Sequence, residues 1–470
     1  MSELHQLSAA ELSAAYAAGD LSPKQATQAL IDHVSQWEPH IAALWWHEPE
    51  QALAEAAASE QRWHAGQPLS VLDGVPVTLK ENIATQGVPV PLGCAATMLS
   101  PAMADAPPAA RLREAGAVML GKTTMPDWGM LSSGLSSFHR LSRNPWNVAR
   151  NPGGSSSGAG AAAAAGYGPI HLGTDIGGSI RLPAHWCGVV GLKPSLGRIP
   201  IHPPYAGRVA GPMTRSVTDA ALAMSILSQP DARDAMSLPA QPIDWLALPS
   251  DARGLRLGLW LDAGWGDPLQ PAVRAAITAA ARRFESAGAT IVPIGPFTTR
   301  AMIDGLDRFW RMRSWLDYKQ LSPERQAKVL PYIRDWIASG QHLSGEEVFT
   351  GYSQMAAMRD AAVNVMQGLD ALLSPVSPDV AFAAEQASPC NDPQRPFEHI
   401  AYTVAFNFSE QPAISVPAAM DAHGLPIGLQ IVGHRHDDLG VLRIARLWEQ
   451  LRDPLPTFPT APTAATLPPG

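Results

Sequence analysis

Apolar and polar positions follow two periods along the chain. Ser8-Ala-Ala-Glu11 has capping-box spacing ahead of an Ala/Leu run that Gly19 can stop, and Ser22-Pro23 opens a second helix toward Trp37. Residues 71–79 (VLDGVPVTL) form a Val/Leu-rich run that predicts a buried strand, leaving a cation, Lys80, at its end. Short strands are predicted at 115–120 and 171–173, with a small-residue helix at 159–165 between them. Such alternation predicts a mixed α/β layer. Residues 225–370 are mostly helical by period and carry Trp260, Trp265, Phe309, Trp310, Trp315, Tyr332 and Trp336, which we read as a cap or substrate-facing region. Strand patterning returns at 413–417 and 424–433, and 441–452 predicts a closing helix. The expected division is an N-terminal helical segment (1–66), a core (67–224), the helical region (225–370), a second core portion (371–452) and a Pro-rich extended tail (453–470), all one domain.

Composition narrows the picture. Of 470 residues, 46% are hydrophobic and only 16% charged, which predicts a packed globular protein. A net charge of -8 with no Lys/Arg block argues against a nucleic-acid partner and for a small substrate. Cys94, Cys187 and Cys390 are widely spaced and odd in number, so neither a disulfide framework nor a metal knuckle is expected, and a reducing cytoplasm is. The N-terminus lacks a signal-peptide pattern and no apolar run reaches about 18 residues, so no membrane span is expected. No His/Cys/Asp cluster has ligand spacing, and neither metal nor cofactor is expected.

Three local patterns compete for the chemistry. Gly116-AVML-Gly121-Lys122-Thr123 matches a phosphate loop literally, but its middle is apolar and strand-like and Pro126 follows too soon for the required helix. Gly154-Ser155-Ser156-Ser157-Gly158 matches a nucleophile elbow with Ser156 as nucleophile and His434 or His436 as a late base, yet the preceding NVARNPGG reads as a loop rather than a strand. The third pattern joins the Gly153–Gly158 cluster to Gly173-Thr-Asp-Ile-Gly-Gly-Ser-Ile-Arg181 around an Ala-rich helix. Consecutive glycines before a serine let several backbone N–H groups converge on one point, as a developing oxyanion needs. Lys80, desolvated at its strand end, supplies a base whose pKa burial should lower.

These residues resemble the amidase signature family. DGVPVTLKENI (73–83), GKTTMPDW (121–128), NPWN (144–147), GGSSSGAGAAAAA, GTDIGGSIRLPAHWCGVVGLKPS through Ser195, GPMTRSVTDAA (211–221), SPVSPDVAF (374–382) and PAISVP with GLPIGLQIVG follow its order over nearly the whole chain. The resemblance implies an α/β amidase signature fold, a mixed, largely parallel twisted sheet covered by helices on both sides. It makes Ser179 the nucleophile, Ser155 a bridging serine after a cis peptide bond and Lys80 the neutral base. Backbone N–H groups of Ile176, Gly177, Gly178 and Ser179 would form the oxyanion hole, Thr174, Asp175 and Arg181 would brace it, and Ser156 would hydrogen-bond near Ser155.

Departures from the family pattern point to a stand-alone hydrolase rather than a component of a glutamyl-tRNA amidotransferase. Glu81 stands where Asp is usual after the lysine, Gly134-Leu-Ser136 replaces Thr-Glu-Asn after Ser132-Ser133, and Ile400 replaces an acidic residue ahead of Tyr402-Thr403. The last two remove polar contacts suited to glutamine. The expected reaction is hydrolysis of an amide, anilide or carbamate through an acyl-enzyme by a monomer or homodimer, and the aromatic middle region suits aryl or bulky acyl groups.

Overall fold

The computed structural model describes residues 3–460. Its frame is one eleven-stranded sheet: β1 (Leu44–Trp46), β2 (Pro76–Lys80), β3 (Val118–Thr123), β4 (Ile170–Asp175), β5 (Val190–Lys193), β6 (Val209–Thr214), β7 (Arg256–Trp260), β8 (Thr290–Ile294), β9 (Ala371–Pro375), β10 (Ala413–Met420) and β11 (Pro426–Val432). The spatial order is β1-β3-β2-β4-β6-β5-β10-β11-β9-β7-β8. The sheet is mixed, as expected, but parallel pairing is confined to its two wings: β3-β2-β4 on one side and β9-β7-β8 on the other. The centre, from β4 to β9, is antiparallel throughout, which corrects the largely parallel expectation. Tight returns such as the one joining β10 to β11 carry no crossover helix and so force antiparallel neighbours.

Both faces of the sheet are covered, as the strand residues themselves record. Leu373, Ile431 and Ile414 enter one apolar cluster with the helices Ala9–Ala18, Val217–Leu227, Pro271–Ser286 and Asp438–Leu451. Their chain neighbours Leu372, Val432 and Ala413 enter the opposite cluster with Trp186, Trp310 and Trp336. A side-chain period of two, buried on both sides, explains why these strands read as continuous apolar runs.

Local signals behave as their chemistry requires. Capping boxes form at Ser8/Glu11 and Ser22/Gln25, and Gly19 ends the first helix in the left-handed region. The phosphate-loop match is strand: Lys122 and Thr123 lie in β3, with the Lys122 amine buried against the Ile83 carbonyl and Thr85. The region 225–370 departs from a purely helical cap, since β7 and β8 extend the main sheet. Each is a five-residue strand, too short for its period to stand out beside long helices, and Pro293 interrupts the second. The helical part proper is built on Arg300–Tyr318 and Gly345–Asn364. These helices touch backbone to backbone: a Cβ at Gly351 would fall 2.3 Å from the Gly305 carbonyl oxygen. In the expected tail, 453–460 carries no helix or strand, and 461–470 lies outside the described residues. No helix among the described residues is long and apolar enough to cross a membrane.

Candidate active site

Parallel β2 and β4 pair through Leu79 and Leu172, so their C-terminal ends lie side by side and bring Lys80 next to the turn that follows Asp175. Ligands of α/β sheets collect at such strand ends. The helix Ser157–Ala165, entirely buried and almost entirely Ala and Gly, packs closely enough to set Ser155 and Ser156 against that corner. A backbone hydrogen bond from Ser156 N to Ser179 O ties the two serine clusters together.

Lys80 is fully buried, and its Nζ donates to Ser155 Oγ (2.8 Å) and Ser156 Oγ (3.1 Å). Burial drives its pKa well below the ordinary 10.5 and the Arg208 guanidinium adds to the effect, while Asp175 and Glu81 pull weakly the other way. The carboxylates that could have neutralised it are engaged elsewhere: Glu81 with His139 Nε2 (2.8 Å) and Asp73 with Arg62 (2.6 Å). The peptide bond between Gly154 and Ser155 is cis. Ser156 Oγ also donates to Thr174 O and accepts from Thr174 N, each at 3.2 Å.

Ser155 and half-buried Ser179 open into one cavity of about 880 Å³, and no hydrogen bond joins their hydroxyls. Catalytic hydrogen bonds are often long before substrate binds. The turn carrying Ser179 is held by a buried polar network. Asp175 accepts from Gly178 N (2.8 Å), Ile180 N (3.0 Å), Arg181 Nε (3.1 Å) and Nη2 (3.0 Å), and Asn407 Nδ2 (2.8 Å). Burial works to raise the Asp175 pKa, but Arg181 and these donors hold it well below the carboxylate range. Arg181 in turn donates to Thr403 O, Gln430 Oε1 and Asn407 Oδ1.

This network corrects one expected donor. The Gly178 amide is spent on Asp175, so the amides free to face an oxyanion are those of Ile176, Gly177 and Ser179, which find no acceptor among the described residues. Gly178 matters for shape instead: its φ is +133° and a Cβ there would meet Thr403 Oγ1 at 2.7 Å. Asn407 lies outside every quoted motif, and although Thr403 and Gln430 fall in the Tyr402-Thr403 and GLPIGLQIVG segments, nothing in those segments shows that all three reach Asp175 or Arg181 from more than 200 residues away. Asn82, which donates to Thr174 Oγ1 at 3.1 Å, is likewise new and lies within the lysine motif.

The Ser156 elbow fails on geometry. Ser156 is wholly buried and committed to Lys80 and Thr174, while His434 Nε2 bonds Leu369 O and His436 is exposed. The aromatic middle region divides: Trp310, Tyr332 and Trp336 border the cavity, whereas Trp260 is core, packed against Phe297 and Tyr402. Ile400 borders the cavity too, 3.4 Å from where a Gly177 Cβ would be.

Replacing Asp175 by Asn should leave buried Arg181 without its counter-charge and slacken the turn. The expected cost is about 3–5 kcal/mol in urea unfolding, with kcat falling more than KM rises. A kcat within about twofold of wild type would mean the carboxylate is not what holds the turn.

An amidase family profile matches residues 25–442. A polypeptide of the glutamyl-tRNA(Gln) amidotransferase of Myxococcus xanthus is 36% identical, with 96% of this chain and 98% of that protein covered. An acylamidase of Rhodococcus erythropolis is 34% identical over 96% of each. The crystal structure of a bacterial aryl acylamidase of the amidase signature enzymes superposes with a TM-score of 0.87 at 30% identity, covering 96% of this chain and 97% of that one. With sequence, fold and motif order in agreement over almost its whole length, the chain belongs to the amidase signature family.

Proposed function

We propose that the chain is a stand-alone hydrolase of amides, anilides or carbamates, with Ser179 as nucleophile, Ser155 as proton bridge and Lys80 as base. The observation that carries this reading is the buried amine, free of any carboxylate partner and hydrogen-bonded to Ser155 behind a cavity that also receives Ser179. Neutral Lys80 takes the Ser155 proton as Ser155 takes that of Ser179, whose oxygen attacks the carbonyl carbon. The tetrahedral oxyanion falls among the amides of Ile176, Gly177 and Ser179, an interaction worth about 3–4 kcal/mol per donor. The proton returns through Ser155 to the leaving amine, the C–N bond breaks, and an acyl-Ser179 remains. Water, deprotonated by the same relay, adds to the ester and releases the acid.

The amidotransferase polypeptide of Myxococcus xanthus is as similar to this chain as the acylamidase is, so glutamine is the competing substrate. The apolar Ile400 at the oxyanion turn and the indole and phenol rings of Trp310, Trp336 and Tyr332 favour aryl or bulky groups over glutamine. The isolated chain should hydrolyse a short acyl 4-nitroanilide with kcat/KM at least about 10²-fold above glutamine or acetamide. Equal or faster release of ammonia from glutamine would turn the assignment toward the amidotransferase role.

A further inference from the structure

The cavity holds two arginines that its walls do not neutralise. Arg208, half-buried, makes one side-chain hydrogen bond among the described residues, to the Pro203 carbonyl at 3.3 Å. Arg313, on the helix Arg300–Tyr318, sits with its guanidinium carbon 4.3 Å from the Tyr205 ring centroid. Neither forms an ion pair among the described residues, although Arg300 and Arg311 of the same helix pair with Glu398 (2.7 Å) and Asp307 (2.8 Å). The Tyr205 hydroxyl, enclosed beside them, has no hydrogen-bond partner among the described residues. Two carboxylates also border the cavity: Asp175, already saturated by Arg181 and Asn407, and Asp317, one helical turn from Arg313, solvent-exposed like Arg313 and ion-paired with neither arginine, so half-buried Arg208 is the cation the cavity encloses. The remaining wall is largely apolar, including Leu131, Trp310 and Ile400.

We propose that the cavity selects amide substrates that carry a carboxylate away from the scissile bond, with Arg208 as its principal partner and Arg313 and the Tyr205 hydroxyl completing the site. A guanidinium presents two parallel donors that match the two oxygens of a carboxylate, and an apolar surround strengthens the pair. Two like charges that face one cavity repel each other, and an anion between them removes that repulsion. Burial and Arg313 lower the Arg208 pKa only to about 10, so Arg208 stays cationic at neutral pH. This inference specifies the substrate class of the hydrolase proposed above and rests on that reading.

Two matched pairs test it: glutaryl against pentanoyl 4-nitroanilide, with the charge on the acyl side, and 4-acetamidobenzoate against acetanilide, with the charge on the amine side. In one pair the charged member should show kcat/KM about tenfold or more above the neutral one, mostly through KM. That ratio should collapse toward one in Arg208→Gln, fall partway in Arg313→Gln, and shrink as salt rises from roughly 0.05 to 0.5 M. The pair that responds assigns the carboxylate to the acyl or the amine side. Ratios at or below one in both pairs, or a ratio unmoved by either substitution, overturn the proposal while leaving the hydrolase reading intact. Calorimetric binding of 4-acetamidobenzoate and acetanilide, glutarate and pentanol to Ser179→Ala protein separates the two claims. Tighter binding of the carboxylates that depends on Arg208, without turnover in wild type, would keep the anion site and sink the hydrolase. Absence of any such preference in binding sinks the anion site whatever the turnover.

Discussion

Changing Ser179 to alanine is expected to lower kcat for a short acyl 4-nitroanilide by roughly 10⁴-fold or more while KM moves little. The hydroxyl is half-buried on the cavity wall, and removing it leaves the walls and the Ile176 and Gly177 amides in place. Substrate therefore still binds, and what disappears is the covalent step. Ser155→Ala should be nearly as damaging, because it cuts Lys80 off from the cavity: the amine is fully buried and reaches it only through that serine. Ser156→Ala should cost less in rate, about 10–10², since its oxygen orients Lys80 and joins Thr174 without facing the cavity. Its larger effect should be on stability, because it strands the buried Thr174 N–H. Rates measured alongside intact-protein mass after a serine-reactive sulfonyl fluoride give an independent reading: the adduct should map to Ser179. Loss of activity in Ser156→Ala with survival in Ser179→Ala, or an adduct on Ser156, would reverse the assignment of nucleophile.

How far the site could be read from sequence follows from how local its parts are. Lys80 was legible because a cation at the end of an apolar strand contradicts its surroundings, and the parallel pairing of β2 with β4 resolves that contradiction by bringing it to the serines. One Gly/Ser cluster alone reads as a linker or turn; the two were legible because they flank an Ala-rich helix in a segment poor in charge. Capping boxes at Ser8 and Ser22 involve neighbours three residues apart, and they form as written. What escaped depends on distant partners. The Gly178 amide looked like an oxyanion donor until Asp175, oriented by Arg181 and Asn407, claimed it. Asn407 and Gln430 look like ordinary polar residues in apolar stretches, and only the packing of β11 beside β9 and β10 brings Gln430 to Arg181. The antiparallel centre of the sheet escaped for the same reason, since pairing direction depends on the order in which strands meet and not on their own pattern. Arg208 was passed over because an arginine in a loop is ordinarily solvated, whereas here it borders the cavity and acts on Lys80.

Lys80→Met should remove about 10²–10⁴ from kcat, and its pH behaviour distinguishes a base from a mere packing residue. The proposed relay needs the neutral amine, so wild-type kcat/KM should rise with pH, tenfold per unit at the acid end, and level off once the Lys80 pKa is passed. Burial first, and Arg208 second, lower that pKa, so the half-maximum should lie well below 10.5; Arg208→Gln removes one of these causes and should move the limb to higher pH. Stability supplies a second test with a definite sign. Between the folded pKa and the unfolded value near 10.4, the unfolded chain binds one more proton at this position than the folded chain does. Lys80 therefore contributes an unfolding free energy that increases with pH across that window, is complete above it and is lost as pH falls through the folded pKa. Methionine is an unbranched side chain of similar length that cannot bind that proton. The variant should unfold in urea at least as late as wild type at pH 7, and its stability should climb less steeply with pH, by about 1.4 kcal/mol per unit inside the window. An inactive Met variant that is also markedly less stable and keeps the wild-type slope would mean Lys80 is charged and structural. In that case the proton relay would need another base: two histidines line the cavity, exposed His202, whose Nδ1 meets the Arg233 carbonyl at 3.3 Å, and wholly buried His399, held near pKa 3 by burial and so too weak for the task at neutral pH.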